Sequence, residues 1–134
     1  MTLFDHEKLD VYKASIEFLA LADQIIECLP RGRSHLGNQF QRAATSISLN
    51  VAEGAGEYST ADKRRFYRMA LRSATECAAI LDVCRTLHLA SDQTLGSGRE
   101  LLLRIVSMLT RLTKSGESGT GTGTGTGTEE PGKG

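Results

Sequence analysis

No apolar run in this 134-residue chain approaches the roughly 18 residues that a membrane span needs. The opening, MTLFDHEKLD, has neither the basic start nor the apolar stretch of a signal peptide, so a cytoplasmic protein with no membrane partner is expected. Cysteine is scarce and odd in number, at three, and no C-x-x-C accompanies it. Cys77 and Cys84 lie seven apart on one predicted helix, about 10 Å by helical rise and too far to bridge. They read as reduced, small core residues. His6, His35 and His88 fall in three separate segments without H-x-x-x-H or His-carboxylate spacing, so no metal site, cofactor or catalytic residue is expected. The GTGTGTGT stretch lacks the lysine and following helix of a phosphate loop. No small-molecule substrate is evident and a non-enzymatic protein is the expectation. Alternating strand patterns are missing too.

What the chain has is helical periodicity. The first pattern covers about residues 9–29, with Leu9, Tyr12, Ile16, Leu19 and Ile26 on one face and Val11, Phe18, Ala22, Ile25 and Leu29 on the next. So wide an apolar arc predicts two neighbours, and a subunit interface on whichever of Val11, Phe18 and Ile25 is left exposed. Pro30 and the RGRS turn end this helix. A second follows, capped by Ser34 or Asn38, and a third over about 61–88, capped by Ser59 or Thr60. The third has the apolar stripe Phe66, Met69, Ala70, Ser73, Cys77, Ile80 or Leu81, Cys84 and Leu87. The fourth places Leu95, Leu102, Ile105, Leu109 and Leu112 in near-heptad order, after a first turn that Gly96 and Gly98 should fray. These patterns predict an all-α, antiparallel up-down-up-down four-helix bundle over residues 1–114. Residues 115–134, rich in Gly and Thr with nothing apolar, are expected to be a disordered tail.

The second helix, QFQRAATSISLNVAEG over 39–54, has two stripes. Phe40, Ala44, Ile47 and Val51 aim at the core, and Arg42, Ser46, Asn50 and Glu53 form a polar line beside them. With Glu76 of the third helix these four polar residues predict an interhelical network, Arg42 pairing with Glu76 or Glu53 inside the bundle. Gly54 is expected at C′ in the left-handed conformation.

Gln39, Arg42, Ala43, Ser46, Ile47, Asn50, Val51, Ala52, Glu53 and Gly54 fit a pattern Q-x-x-R-A-x-x-S-I-x-x-N-[IV]-A-E-G. In this the chain resembles the bacterial four-helix bundle protein family, first noticed in intervening sequences of large-subunit ribosomal RNA genes. Phe4, Leu9, Val11 and Ala14 resemble its opening helix, and Arg65, Phe66 and 70–76 its third, over about residues 3–113 in all. One departure is Arg72, where the family often has Gly before the Ser of A-x-G-S-x-x-E. The resemblance implies a homopentameric ring. It also implies kinship with an accessory protein of diversity-generating retroelements that binds nucleic acid and a reverse transcriptase.

Net charge is zero but unevenly spread. Residues 1–30 carry minus four and residues 31–72 plus five. Within the basic block Arg64, Arg68 and Arg72 stand four apart, flanked by Lys63 and Arg65, so the third helix should display a basic ridge beside Tyr67. Such a ridge can meet RNA phosphates, an acidic subunit face, or the chain's own Asp5, Glu7 and Asp10. The expected function is a self-associating accessory or scaffolding module that binds RNA or a protein-RNA complex. The alternative is a protein-binding adaptor with no nucleic-acid role.

Overall fold

Four helices carry the chain in a computed structural model that describes residues 3–118. A short 3-10 turn, Asp5–Lys8, precedes α1 (Asp10–Glu27), α2 (Ser34–Ala55), α3 (Thr60–Thr86) and α4 (Asp92–Ser118), and no strand occurs among the described residues. Each helix packs on its sequence neighbour and α4 closes on α1. The diagonal pairs, α1 with α3 and α2 with α4, bring no Cα atoms within 8 Å. Ser15 meets Ser48 across α1 and α2, while Ser46 meets Ser73 and Gly54 meets Phe66 across α2 and α3, so neighbours run antiparallel. The fold is the up-down-up-down bundle that the periodicity predicts. No helix among the described residues is long and apolar enough to cross a membrane.

The apolar stripes become the core. Phe40, Ala44, Ile47 and Val51 of α2 are fully buried, with Phe18 of α1 set edge-on to Phe40 at 6.1 Å. Burying a side chain of this size stabilises the fold by about 1.5–3 kcal/mol. α4 adds Leu95, Leu102, Ile105 and Leu109. Two buried hydroxyls interrupt this apolar interior and satisfy each other: Ser48 donates to Ser15 at 3.0 Å, and Ser15 donates to the Tyr12 carbonyl at 2.7 Å.

The α1 arc is resolved within one chain. Val11, Phe18 and Ile25 are all buried, and Leu9, Tyr12, Leu19 and Ile26 pack half-buried on the rim of the core. The helix sits in the corner between α2 and α4, which covers both faces. Only Ile16, at 41% exposed, is left from that arc, so the interface expected on Val11, Phe18 or Ile25 is not available. On α3, Met69 and Leu87 are exposed rather than buried, and Tyr67 takes the core position instead.

Helix ends follow the caps only in part. Of the two candidate caps for α3, Ser59 accepts from the Asp62 amide at 3.0 Å and Thr60 is the first helical residue, and Ser91 accepts from the Thr94 amide at 3.1 Å. α2 has neither expected cap: Ser34 is its first helical residue and Asn38 lies a turn inside. α3 ends on a left-handed His88 (φ 56°), where the Leu89 amide closes on the Cys84 carbonyl at 2.8 Å. α4 does not break at its glycines. Gly98 is buried, and a Cβ there would lie 3.1 Å from Leu21 and 3.3 Å from Leu81, so its bareness lets three helices converge. The helix also continues to Ser118, past the boundary expected at residue 114. The tail from 119 to 134 lies outside the described residues.

Gly54 is not a left-handed cap. α2 continues through Ala55 and ends on Gly56 with φ −87°. The reason for glycine is space: a Cβ at Gly54 would stand 2.7 Å from Cε1 of Tyr67 and 3.2 Å from Phe66. Gly54→Ala should therefore cost about 1–3 kcal/mol in urea unfolding, the range for overpacking. At Gly56 a Cβ would meet only backbone oxygens at 3.7 and 3.8 Å, and the same substitution there should stay within about 0.5 kcal/mol.

The thiols are sorted by depth. Burial, with a smaller contribution from the Glu76 charge, pushes the Cys77 thiol up to about 12, and burial also raises Cys84, whereas Cys28 is exposed. Since the thiolate is the reactive form, a disulfide reagent at pH 8 should titrate one thiol rapidly in the native protein and three after denaturation. Rapid native labelling of Cys77 would contradict this core.

Candidate nucleic-acid interface

The polar line of α2 divides at the α2–α3 boundary. Ser46 and Asn50 are half-buried: Asn50 Nδ2 donates to the Ser46 carbonyl at 2.9 Å and to its hydroxyl at 3.0 Å, and Ser73 of α3 donates to the same hydroxyl at 2.8 Å. Ser73 therefore makes the helix contact, while its neighbour Arg72 points to solvent and does not obstruct it. Arg42, Glu53 and Glu76 lie outside this cluster. All three are exposed, and Arg42 forms no ion pair with either carboxylate, which corrects the expected buried pair. Glu76 instead accepts from Gln39 Nε2 at 3.3 Å. The physical reason is helical phase: one step before Ser46 and one step beyond Asn50 the line has turned away from α3, and there Arg42 and Glu53 are exposed.

The basic residues of α3 separate in the same way. Lys63 is half-buried and leaves the ridge altogether, donating to the Ala55 carbonyl at 3.1 Å and the Gly54 carbonyl at 3.4 Å. It places a cation on the unsatisfied carbonyls that end α2, where the helix dipole favours it. Arg65 is exposed, 3.7 Å from Asp62 and lying over the Phe66 ring at 4.7 Å. Arg64 is half-buried, and Arg68 and Arg72 are exposed. Thr75 lines the groove toward α4, so Arg68, seven residues before it, lies on that side of α3.

Two expectations about the ridge's surroundings do not hold. Tyr67 is 5% exposed under Gly54 and offers no stacking face. The fully exposed aromatic at this end is Tyr58, in the loop before α3. Its position between Glu57 and Ser59, outside any apolar stripe, is the signal that could have found it. Asp5, Glu7 and Asp10 pair with none of Arg64, Arg65 and Arg72, because the 3-10 turn packs on α1 and α2 and α1 is diagonal to α3.

Among the described residues no group of three or more His, Cys, Asp or Glu could hold a metal ion. His6 packs edge-on against Tyr12 at 4.6 Å, while His35 and His88 are exposed at opposite helix ends. The polar side chains that do converge, Ser46, Asn50 and Ser73, consume their hydrogen bonds on one another.

The family profile described as 23S rRNA-intervening sequence protein matches residues 7–111. This chain belongs to that family. The matched span runs from the 3-10 turn to the last core turns of α4, so the family unit is the bundle itself. Among solved structures it is similar to a protein of unknown function from the S23 ribosomal protein family of Bacteroides thetaiotaomicron VPI-5482, with 23% identity and a TM-score of 0.72. That likeness covers 78% of this chain and 95% of the other, and it shows the shared fold. No curated protein matches.

Arg42, which left the expected network, and Lys63, which left the ridge, make opposite stability predictions. Arg42→Ala should change unfolding free energy by less than about 0.5 kcal/mol, as an exposed side chain with no ion pair among the described residues. Lys63→Ala should cost about 0.5–1.5 kcal/mol, because two terminal carbonyls lose a charged donor. Denaturant titration of the two variants distinguishes them.

Proposed function

We propose that this intervening sequence protein is a non-catalytic, self-associating bundle of the cytoplasm that binds RNA, alone or within a protein-RNA complex, through the outer arginines of α3. The observation that carries this reading is the run Arg64, Arg68 and Arg72, which recurs at one-turn spacing along the outside of α3. Three guanidiniums in line over about 12 Å suit successive phosphates of a flexible strand, since phosphate contacts supply most non-specific affinity. Exposed Tyr58 near the same end adds a face on which a base can stack. Lys63 takes no part, being held by α2.

The protein-binding adaptor is the second reading, supported by a groove of about 120 Å³ between α3 and α4. Ala74, Ala78, Leu81, Leu102, Leu103 and Val106 line it, and Leu103 is 57% exposed.

Salt dependence tests the first reading. Each phosphate contact should contribute about 0.7 to the slope of log affinity against log salt for single-stranded RNA. Replacing Arg64, Arg68 and Arg72 by glutamine should reduce that slope by roughly 2 and leave helicity intact. Equal affinity of the two proteins at every salt concentration eliminates this face, and no RNA binding at low salt leaves the adaptor.

A further inference from the structure

The groove between α3 and α4 is asymmetric along its length. Gly98 of α4 lies against Leu81 of α3, and that contact sets the heights of the two antiparallel helices. Counted from it, Asp82 stands about level with Arg99, Ala78 with Leu103, and Ala74 with Val106, while Arg85 lies one turn beyond Asp82. One end of the groove is therefore apolar and the other charged.

At the apolar end Leu103 is out of place. Leu95, Leu101, Leu102 and Leu109 of the same helix are buried, yet Leu103 is 57% exposed, because the alanine opposite it at position 78 is too small to cover it. At the charged end Arg85 and Arg99 are both exposed, and neither closes an ion pair with Asp82 or with any other carboxylate among the described residues. α3 and α4 together carry ten basic and six acidic side chains, so the surrounding field favours an anionic visitor.

We infer that this groove docks an amphipathic helix of a protein partner, one whose apolar anchors are followed by an acidic residue. A helix lying along two others presents side chains at every third or fourth position, which suits a trough about three turns long. Two apolar side chains of the partner sit against Ala78, Leu103 and Val106, and a carboxylate one turn further reaches Arg85 and Arg99. Asp82 tempers the cationic end, so charge alone is not enough and the anchors are required. RNA suits the groove less well: none of its lining side chains is aromatic, so a base has no ring to stack on, and Asp82 repels phosphate. This site rests on the adaptor reading above and adds the chemistry of the partner.

The test is fluorescence anisotropy of a labelled synthetic peptide with the full chain. The peptide is an alanine-rich helix of about four turns, with two leucines one turn apart and a glutamate one turn beyond the second. Its control has lysine in place of the glutamate. At low salt the acidic peptide should bind at least about threefold tighter than the control, and the preference should shrink as salt is raised. Arg85→Glu combined with Arg99→Glu should reverse the preference, and Asp82→Asn should enlarge it. Leu103→Gln should weaken both peptides at least about tenfold while circular dichroism stays unchanged. If the control binds as tightly as the acidic peptide, the charge assignment falls and the adaptor reading stands. If neither binds at about millimolar concentration, both fall. A chain mass that drops in Leu103→Gln, measured by sedimentation, shows a second copy in the groove and overturns the partner helix. Loss of single-stranded RNA binding in the same variant assigns the groove to RNA and overturns it equally.

Discussion

The close approach of α2 to α3 is the constraint on which the rest of the bundle depends. It is made at one end by a missing Cβ, where Gly54 lies under the ring of Tyr67, and in the middle by hydroxyls shared among Ser46, Ser73 and Asn50. Both devices are short-range and permit little slippage. A glycine fits a ring at one height only, and a hydroxyl bond at 2.8 Å fixes a register to within a fraction of a turn. The apolar stripes supply most of the driving force but would tolerate a shifted neighbour.

That register has consequences on the outside. Once α2 and α3 are locked, Lys63 falls on the end of α2 and satisfies its carbonyls, so one member of the basic block becomes structural. Tyr67 is drawn beneath Gly54, and the exposed aromatic passes to Tyr58 in the loop. The charges of the polar line are carried outward while its uncharged members remain at the boundary. A buried guanidinium would need a partner in excellent geometry to offset its desolvation, and the bundle avoids that problem by burying serines instead.

The family fit over residues 7–111 and the shared fold of the structural neighbour place the pattern in context without supplying a chemistry. Of the sequence features that carry the resemblance, Gly54, Ser46 and Asn50 have structural explanations here. Arg42 and Glu53 do not: both are exposed and neither closes an ion pair among the described residues. Side chains in that position are free for surface use, and with Leu49 between them they draw attention to α2 as well as to the arginines of α3.

What the sequence determined by itself was set by period and by local chemistry. The stripes Phe40, Ala44, Ile47 and Val51, or Leu95, Leu102, Ile105 and Leu109, repeat at helical spacing, and a side chain's face follows from its own helix alone. The Ser59 cap was legible for the same reason, as its bond is made three residues away. The tertiary structure decided everything that needs the distance between two helices. Gly54 looked like a cap because glycine serves both roles, and only the position of Tyr67 distinguishes them. Gly98 looked like a weak first turn until Leu21 and Leu81 were found against it. Lys63 looked like its neighbours on the ridge, and Arg42 like a buried partner of Glu76, because a helical wheel gives direction but not what stands there. Periodicity is a property of one chain segment, whereas burial, capping across helices and the pairing of charges depend on the phase between two, which is fixed only when they pack.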